Sequence, residues 1–178
     1  DIRNHIGHIT LNRPAALNAL THSMIKIMHA KLLEWERDKN IYAVVMRGAG
    51  EKAFCAGGDI RAVYDSVISG GDLHKNFFVD EYEFDFYMHK YRKPVVVLMN
   101  GVVMGGGVGL AMAAALRVVG DKTKFAMPET NIGFFPDVGA TYFLSRLLGH
   151  LGEYLGITGA QLKAADCLYA GISDVYLT

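Results

Sequence analysis

The chain has 178 residues, 51% of them apolar and 20% charged, with 18 basic side chains against 18 acidic ones. This is the composition of one globular domain with a sizeable core. It lacks the basic excess of a nucleic-acid or anionic-membrane binder, though a local patch could still hold a small anion. No apolar run approaches the roughly 18 residues of a membrane span. Cys55 and Cys167 are too far apart for a C-x-x-C motif, so zinc and dithiol chemistry have little support, and free thiols fit a reducing compartment. The chain opens on Asp1-Ile2-Arg3 without an initiator Met and stops at Thr178, which reads as part of a longer chain.

Taken in order, His8 to Leu11 predicts a short strand, broken by Asn12-Arg13-Pro14. Thr21 is a good N-cap for a helix to about Asp38, with a core-facing stripe of Ile25, Met28, Leu32 and Trp35. Ala43 to Met46 reads as a buried strand. Helices are predicted at Ile60 to Val67 and Leu73 to Tyr91, then a strand at Val95 to Met99. The triple glycine Gly105-Gly106-Gly107 opens a helix over about Val108 to Ala115. Strands follow at Arg117 to Val119 and Phe125 to Met127. Further helices are predicted near Thr141 to Leu148 and after Thr158-Gly159-Ala160. Alternating helices and Val-rich strands predict an α/β fold with helices covering a sheet.

Three motifs carry chemistry. Ala53-Phe54-Cys55-Ala56-Gly57-Gly58-Asp59-Ile60 is either a tight turn with Asp59 as N-cap or a turn whose free amides approach a ligand. Asn100 to Gly109 places a triple glycine at a helix start. Either unpaired amides and the positive dipole end there suit a developing oxyanion, or the glycines serve close helix packing. The spacing matches neither a dinucleotide fingerprint nor a P-loop. Phe125 to Gly139 holds two carboxylates, Glu129 and Asp137, among apolar residues and glycines. They are either acids of raised pKa suited to proton transfer or plain loop acids. No G-x-S-x-G and no H-E-x-x-H occur, so neither a serine triad nor a metal is called for. Phe134 and Phe135 read as an acyl-pocket wall or as core.

In this order and spacing the motifs resemble the crotonase (enoyl-CoA hydratase/isomerase) superfamily over about Ile9 to Leu177. The resemblance implies a spiral of ββα units over residues 1–178, lacking a C-terminal helical part. It also implies an acyl-CoA ligand held by the Gly58 and Gly106 amides. Enoyl-CoA hydratases carry Glu where this chain has Gly109, and Gly where it has Asp137. The runs Met104 to Leu110, Met127 to Thr130 and Pro136 to Gly139, with Phe77-Phe78 and Glu81-Tyr82, look like the 3-hydroxyisobutyryl-CoA hydrolase branch. That branch implies Glu129 and Asp137 as catalytic acids, Glu81 as a substrate-site residue, and no cofactor beyond the coenzyme A of the substrate. It implies a small-molecule partner and leaves room for a homo-oligomer. The location would be bacterial cytoplasm or mitochondrial matrix. The alternatives are hydration or isomerisation of another acyl-CoA, and a non-catalytic binding or assembly subunit.

Overall fold

The computed structural model describes residues 1–178. β1 (Ile2–Arg3) and β2 (Ile6–Leu11) form an antiparallel hairpin. α1 (His22–Arg37) starts at the predicted cap, where the Thr21 hydroxyl accepts from the Met24 amide at 3.2 Å. The predicted stripe Ile25, Met28, Leu32 and Trp35 is its buried face. Three ββα units follow. β3 (Ala43–Gly48) and β4 (Ala53–Cys55) lead into α2 (Ile60–Ile68) and α3 (Leu73–His89). β5 (Val95–Met99) and β6 (Val102–Met104) lead into α4 (Gly106–Met112). β7 (Leu116–Val119) and β8 (Lys124–Ala126) lead into a 3-10 turn at Glu129–Ile132 and α5 (Ala140–Phe143). α6 (Leu151–Thr158), β9 (Leu162–Lys163), α7 (Ala164–Tyr169) and β10 (Val175–Tyr176) complete the chain.

The fold is α/β as expected, but its strands form two sheets. The first strand of each unit joins a six-stranded sheet, β1-β2-β3-β5-β7-β10; the second joins a four-stranded sheet, β4-β6-β8-β9. Successive units pair in parallel, with Val44 opposite Val95 and Val103 opposite Phe125. This is a spiral in which the same corner recurs at each level. The corners stack: Lys52 O accepts from the Val102 amide at 3.0 Å, and Gly101 O from the Lys124 amide at 2.9 Å. At Gly101 the chain has φ +76°, and a Cβ would lie 2.3 Å from Lys52 O, so glycine is required. β8 matches the strand predicted at Phe125 to Met127 to within one residue at each end, whereas β4 and β6, of three residues each, are too short for periodicity to reveal them.

The predicted helix over 141–148 breaks into α5 and a 3-10 turn at Leu144–Arg146. α6, which the pattern does not predict, begins at Leu151. The chain turns back there because Gly152 packs on Leu144, where a Cβ would stand 1.9 Å from the carbonyl oxygen. Two glycines in Leu151–Thr158 mask its helical character. α4 begins two residues earlier than predicted and ends at Met112. Residues 113–115 turn into β7, and the Ala115 amide donates to Val95 O at 3.0 Å.

Asn18 ties the N-terminal segment to the β3–β4 corner. It is fully buried at φ +57°. Its Oδ1 accepts from the Arg13 amide at 2.9 Å, and its Nδ2 donates to Ala49 O at 3.0 Å and Ala53 O at 2.8 Å. Asn18→Ala leaves those backbone groups without their partner and should lower the unfolding free energy by about 1–3 kcal/mol or more, measured by urea denaturation.

Candidate active site

The site is built where two glycine turns touch. In the first, the Leu20 amide donates to Gly57 O and the Asp59 amide to Leu20 O, both at 2.8 Å. These bonds use the groups on either side of Gly58, whose own amide has no backbone partner. Asp59 then caps α2, accepting from the Ala62 amide at 3.1 Å, and pairs with Arg13 at 2.9 Å. In the second turn Gly105 has φ +50° and ψ −124°, and Gly106 is the first residue of α4. An amide at that position has no partner within its own helix and sits at the positive dipole end. A Cβ on Gly106 would lie 3.4 Å from the Gly58 nitrogen, and one on Gly57 3.5 Å from the Gly106 nitrogen. A Cβ on Gly107 would lie 2.3 Å from Cys55 O. A side chain at Gly107 would drive the turns apart, and at Gly57 and Gly106 the opposing backbone already stands at van der Waals distance.

α3 runs along both turns. Its buried face is Phe77, Glu81, Phe84, Asp85 and Met88. The residues at i, i+4 and i+8 each meet a glycine. A Cβ on Gly58 would be 2.8 Å from Phe77 Cζ, one on Gly106 would be 2.3 Å from Glu81 Oε1, and one on Gly109 would be 2.8 Å from Asp85 Oδ2. From the other side comes Glu129, the first residue of the 3-10 turn, whose Oε1 would be 3.1 Å from a Cβ on Gly105. Glu81 and Glu129 thus flank the start of α4. The pair of His22 Nε2 with Asp80 at 2.5 Å ties α3 to α1 beside this point.

Asp137 completes the group. The Tyr82 hydroxyl donates to its Oδ2 at 2.6 Å. The next residue, Val138, is buried at φ +41°, in the left-handed region that a β-branched side chain avoids. Such strain costs about 1–3 kcal/mol and persists only where the surroundings enforce it. Here Val138 packs against Gly109, where a Cβ would lie 2.7 Å away.

Four carboxyls therefore surround the glycine turns: Glu81, Asp85, Glu129 and Asp137. No protein donor reaches Glu81 Oε1, Glu129 Oε2 or either oxygen of Asp85. Burial pushes Glu129 up to about 7, with help from the Asp137 charge. Burial pushes Glu81 up to about 8, followed by the charges of Asp137 and Glu129. Asp85 is held well above the usual carboxylate range by burial, then by Glu81 and Asp137. Burial also raises Asp137, opposed by the Tyr82 hydrogen bond. Cys55, behind the first turn, is pushed by burial to about 12 and is no thiolate nucleophile.

A cleft of about 810 Å³ opens next to Asp137 and Asp85. Tyr82, Gly109, Tyr142 and Arg146 line it, while Gly58, Gly106, Glu81 and Glu129 are not part of its lining. Phe135 is on its wall, 59% exposed, and stacks on Phe134 at 4.5 Å, which stacks in turn on Phe78 at 6.0 Å. Neither Phe134 nor Phe135 belongs to the core, which removes one of the two readings their sequence allows.

A family model for enoyl-CoA hydratase/isomerase matches residues 6–178. The chain belongs to this family. It is 53% identical over 171 residues to a mitochondrial 3-hydroxyisobutyryl-CoA hydrolase of Xenopus tropicalis, a match covering 96% of this chain and 44% of that one. It is 48% identical to the small ribosomal subunit protein mS47 of Neurospora crassa, over 97% of this chain and 35% of the relative. Among solved structures it superposes on a carnitinyl-CoA dehydratase of Mycobacterium thermoresistibile with a TM-score of 0.96 at 46% identity, covering 99% of this chain and 52% of that one. The chain thus spans about half the length, or less, of these relatives. Their ββα spiral is the architecture the motifs imply.

All five residues singled out in the sequence, Gly58, Gly106, Glu81, Glu129 and Asp137, meet at one place. Sequence reasoning missed Asp85 and the role of Tyr82 in holding Asp137. The available signal was the spacing of Glu81 and Asp85, one turn apart among Phe77, Phe84 and Met88. The buried acids make a stability prediction. Glu81 is raised in the folded state, so the stability it contributes is full below its unfolded value of about 4.5 and is lost as pH rises through about 8. Glu81→Gln should therefore unfold close to the parent's temperature near pH 4, and at a progressively higher one relative to the parent toward pH 9, by calorimetry across that range.

Proposed function

We propose that the full-length protein hydrolyses a short 3-hydroxyacyl-CoA thioester, with 3-hydroxyisobutyryl-CoA, of valine catabolism, as the first candidate. The observation that carries this reading is Glu129, buried to 7% exposure, with a free oxygen, beside the contact of the two glycine turns. In this scheme the Gly58 and Gly106 amides form an oxyanion hole for the thioester oxygen. Losing one donor of such a hole lowers the rate by about 10²–10³. Glu129 attacks the carbonyl carbon, or takes a proton from the water that does. Either way a C–O bond forms, the C–S bond breaks, and the departing thiolate takes up a proton; where Glu129 is the nucleophile, water then cleaves the acyl-glutamyl anhydride to the free acid and restores Glu129. Asp137, positioned by Tyr82, supplies that proton or orients the water or the substrate hydroxyl. Glu81 helps seat the substrate. Coenzyme A enters as part of the substrate, and no other cofactor takes part.

The hydrolase name of the vertebrate relatives supports this choice, as does Gly109, which leaves α4 without an acid. Hydration or isomerisation is the nearer alternative, since matched structures carry dehydratase and hydratase titles. Incubation with a 3-hydroxyacyl-CoA and an enoyl-CoA separates them, by thiol release against loss of conjugated absorbance. The match to mS47 favours a second reading, that of an assembly subunit. Ligand binding without turnover of any thioester would support it. The mitochondrial names of the relatives favour the matrix as the location over a bacterial cytoplasm.

The full-length protein assayed on a panel of acyl-CoA thioesters tests the proposal. Glu129→Gln and Asp137→Asn should each lose at least about 10²-fold in thiol release while still binding the thioester. Glu129 must be ionised to act, so kcat/KM should rise with pH through about 7. Near-normal turnover by Glu129→Gln contradicts the assignment.

A further inference from the structure

Gly109 and Asp85 form a pair that the proposed chemistry does not use. Asp85 is 9% exposed, and no protein donor reaches either of its oxygens. No basic side chain offsets its charge; the groups acting on it are Glu81 and Asp137, both acidic. An acid buried in this way weakens a fold. It caps no helix and bridges no elements, so stability does not account for it. It stands on the wall of the cleft, one turn of α3 beyond Glu81. Its Oδ2 occupies the space beside Gly109, where a Cβ would come within 2.8 Å of it, so α4 must have a glycine there to admit the carboxyl.

We propose that Asp85 is a specificity residue, whose carboxyl group binds a hydroxyl on the acyl chain of the substrate. The substrate class is a short thioester bearing a hydroxyl a few bonds from the carbonyl. With the carbonyl between the glycine turns, an acyl chain that passes Asp137 into the cleft would meet Asp85 on its wall. A carboxyl kept largely protonated by burial, and then by the charges of Glu81 and Asp137, both donates to and accepts from a hydroxyl. Satisfying it recovers part of the desolvation cost that the empty site carries, whereas an acyl chain lacking the hydroxyl leaves it orphaned. This inference rests on the hydrolase reading for its position on the substrate.

The test compares 3-hydroxyisobutyryl-CoA with isobutyryl-CoA, which differs only in the hydroxyl, using the full-length protein. The parent should prefer the hydroxylated thioester in kcat/KM, and Asp85→Ala should cut that preference by at least about tenfold. Asp85→Asn, which keeps both a donor and an acceptor, should lose less. A structural role would lower both rates in proportion, and an unchanged ratio overturns the proposal. Should Asp85→Ala not fold, Asp85→Val, apolar and closer in size, is read in its place. If the parent releases thiol from neither thioester, the hydrolase reading fails. The ratio of Kd for non-hydrolysable thioether analogues with and without the hydroxyl then decides on Asp85: a ratio that collapses in the variant supports it, and an unchanged one overturns it.

Discussion

The contact between the two glycine turns is the constraint on which the rest of the structure depends. Gly57-Gly58 and Gly105-Gly106 meet at van der Waals distance, with Cβ atoms added at Gly106 and Gly57 standing 3.4 and 3.5 Å from the opposing nitrogens, while one on Gly107 would stand 2.3 Å from Cys55 O. Backbone faces backbone there, with Glu81 and Leu20 packed beside it. The stacked corners of successive ββα units bring the turns to the same level. α3 is then laid across them through Phe77, Glu81 and Asp85, each facing a glycine. One helix face thus serves both as the packing surface that holds the turns together and as the source of two of the site's acids.

The electrostatic side of the site follows from that packing. Glu81 and Asp85 are carried into the interior because their helix must cover glycine, and Glu129 and Asp137 enter from the opposite loop. All four carboxyls rise in pKa, and burial is the largest cause for each. Every charge in the group opposes the others, so near neutrality the four do not ionise together and their titrations belong to the group. A group with two values near 7 to 8 holds both ionised and protonated carboxyls beside the glycine turns. General acid–base chemistry at neutral pH requires that combination.

Much of this was legible in the sequence where a residue has a local reason for its place. Thr21 and Asp59 were readable as caps, and the helical stripe from Ile25 to Trp35 as a core face. The glycine runs were readable as amide-bearing turns, and Glu129 as an acid among apolar neighbours. The rest depends on contacts distant in the chain. The two-sheet arrangement is hidden because β4 and β6 are too short to show a period, which leaves β8 without visible partners. α6 is hidden by its glycines, and its direction is set by Gly152 meeting the Leu144 carbonyl. Asp85 is hidden because an acid on a long helix reads as solvated until the glycine opposite it is known. Asn18 reads as a loop residue, and its three hydrogen bonds reach 5, 31 and 35 residues away.

The central claim is that the Gly58 and Gly106 amides polarise a thioester carbonyl. Isotope-edited infrared spectroscopy of a carbonyl-¹³C acyl-CoA bound to full-length Glu129→Gln tests it directly, because turnover is blocked and the carbonyl alone is read. The claim predicts a carbonyl stretch at lower wavenumber in the complex than in free thioester. A stretch unmoved on binding would contradict it.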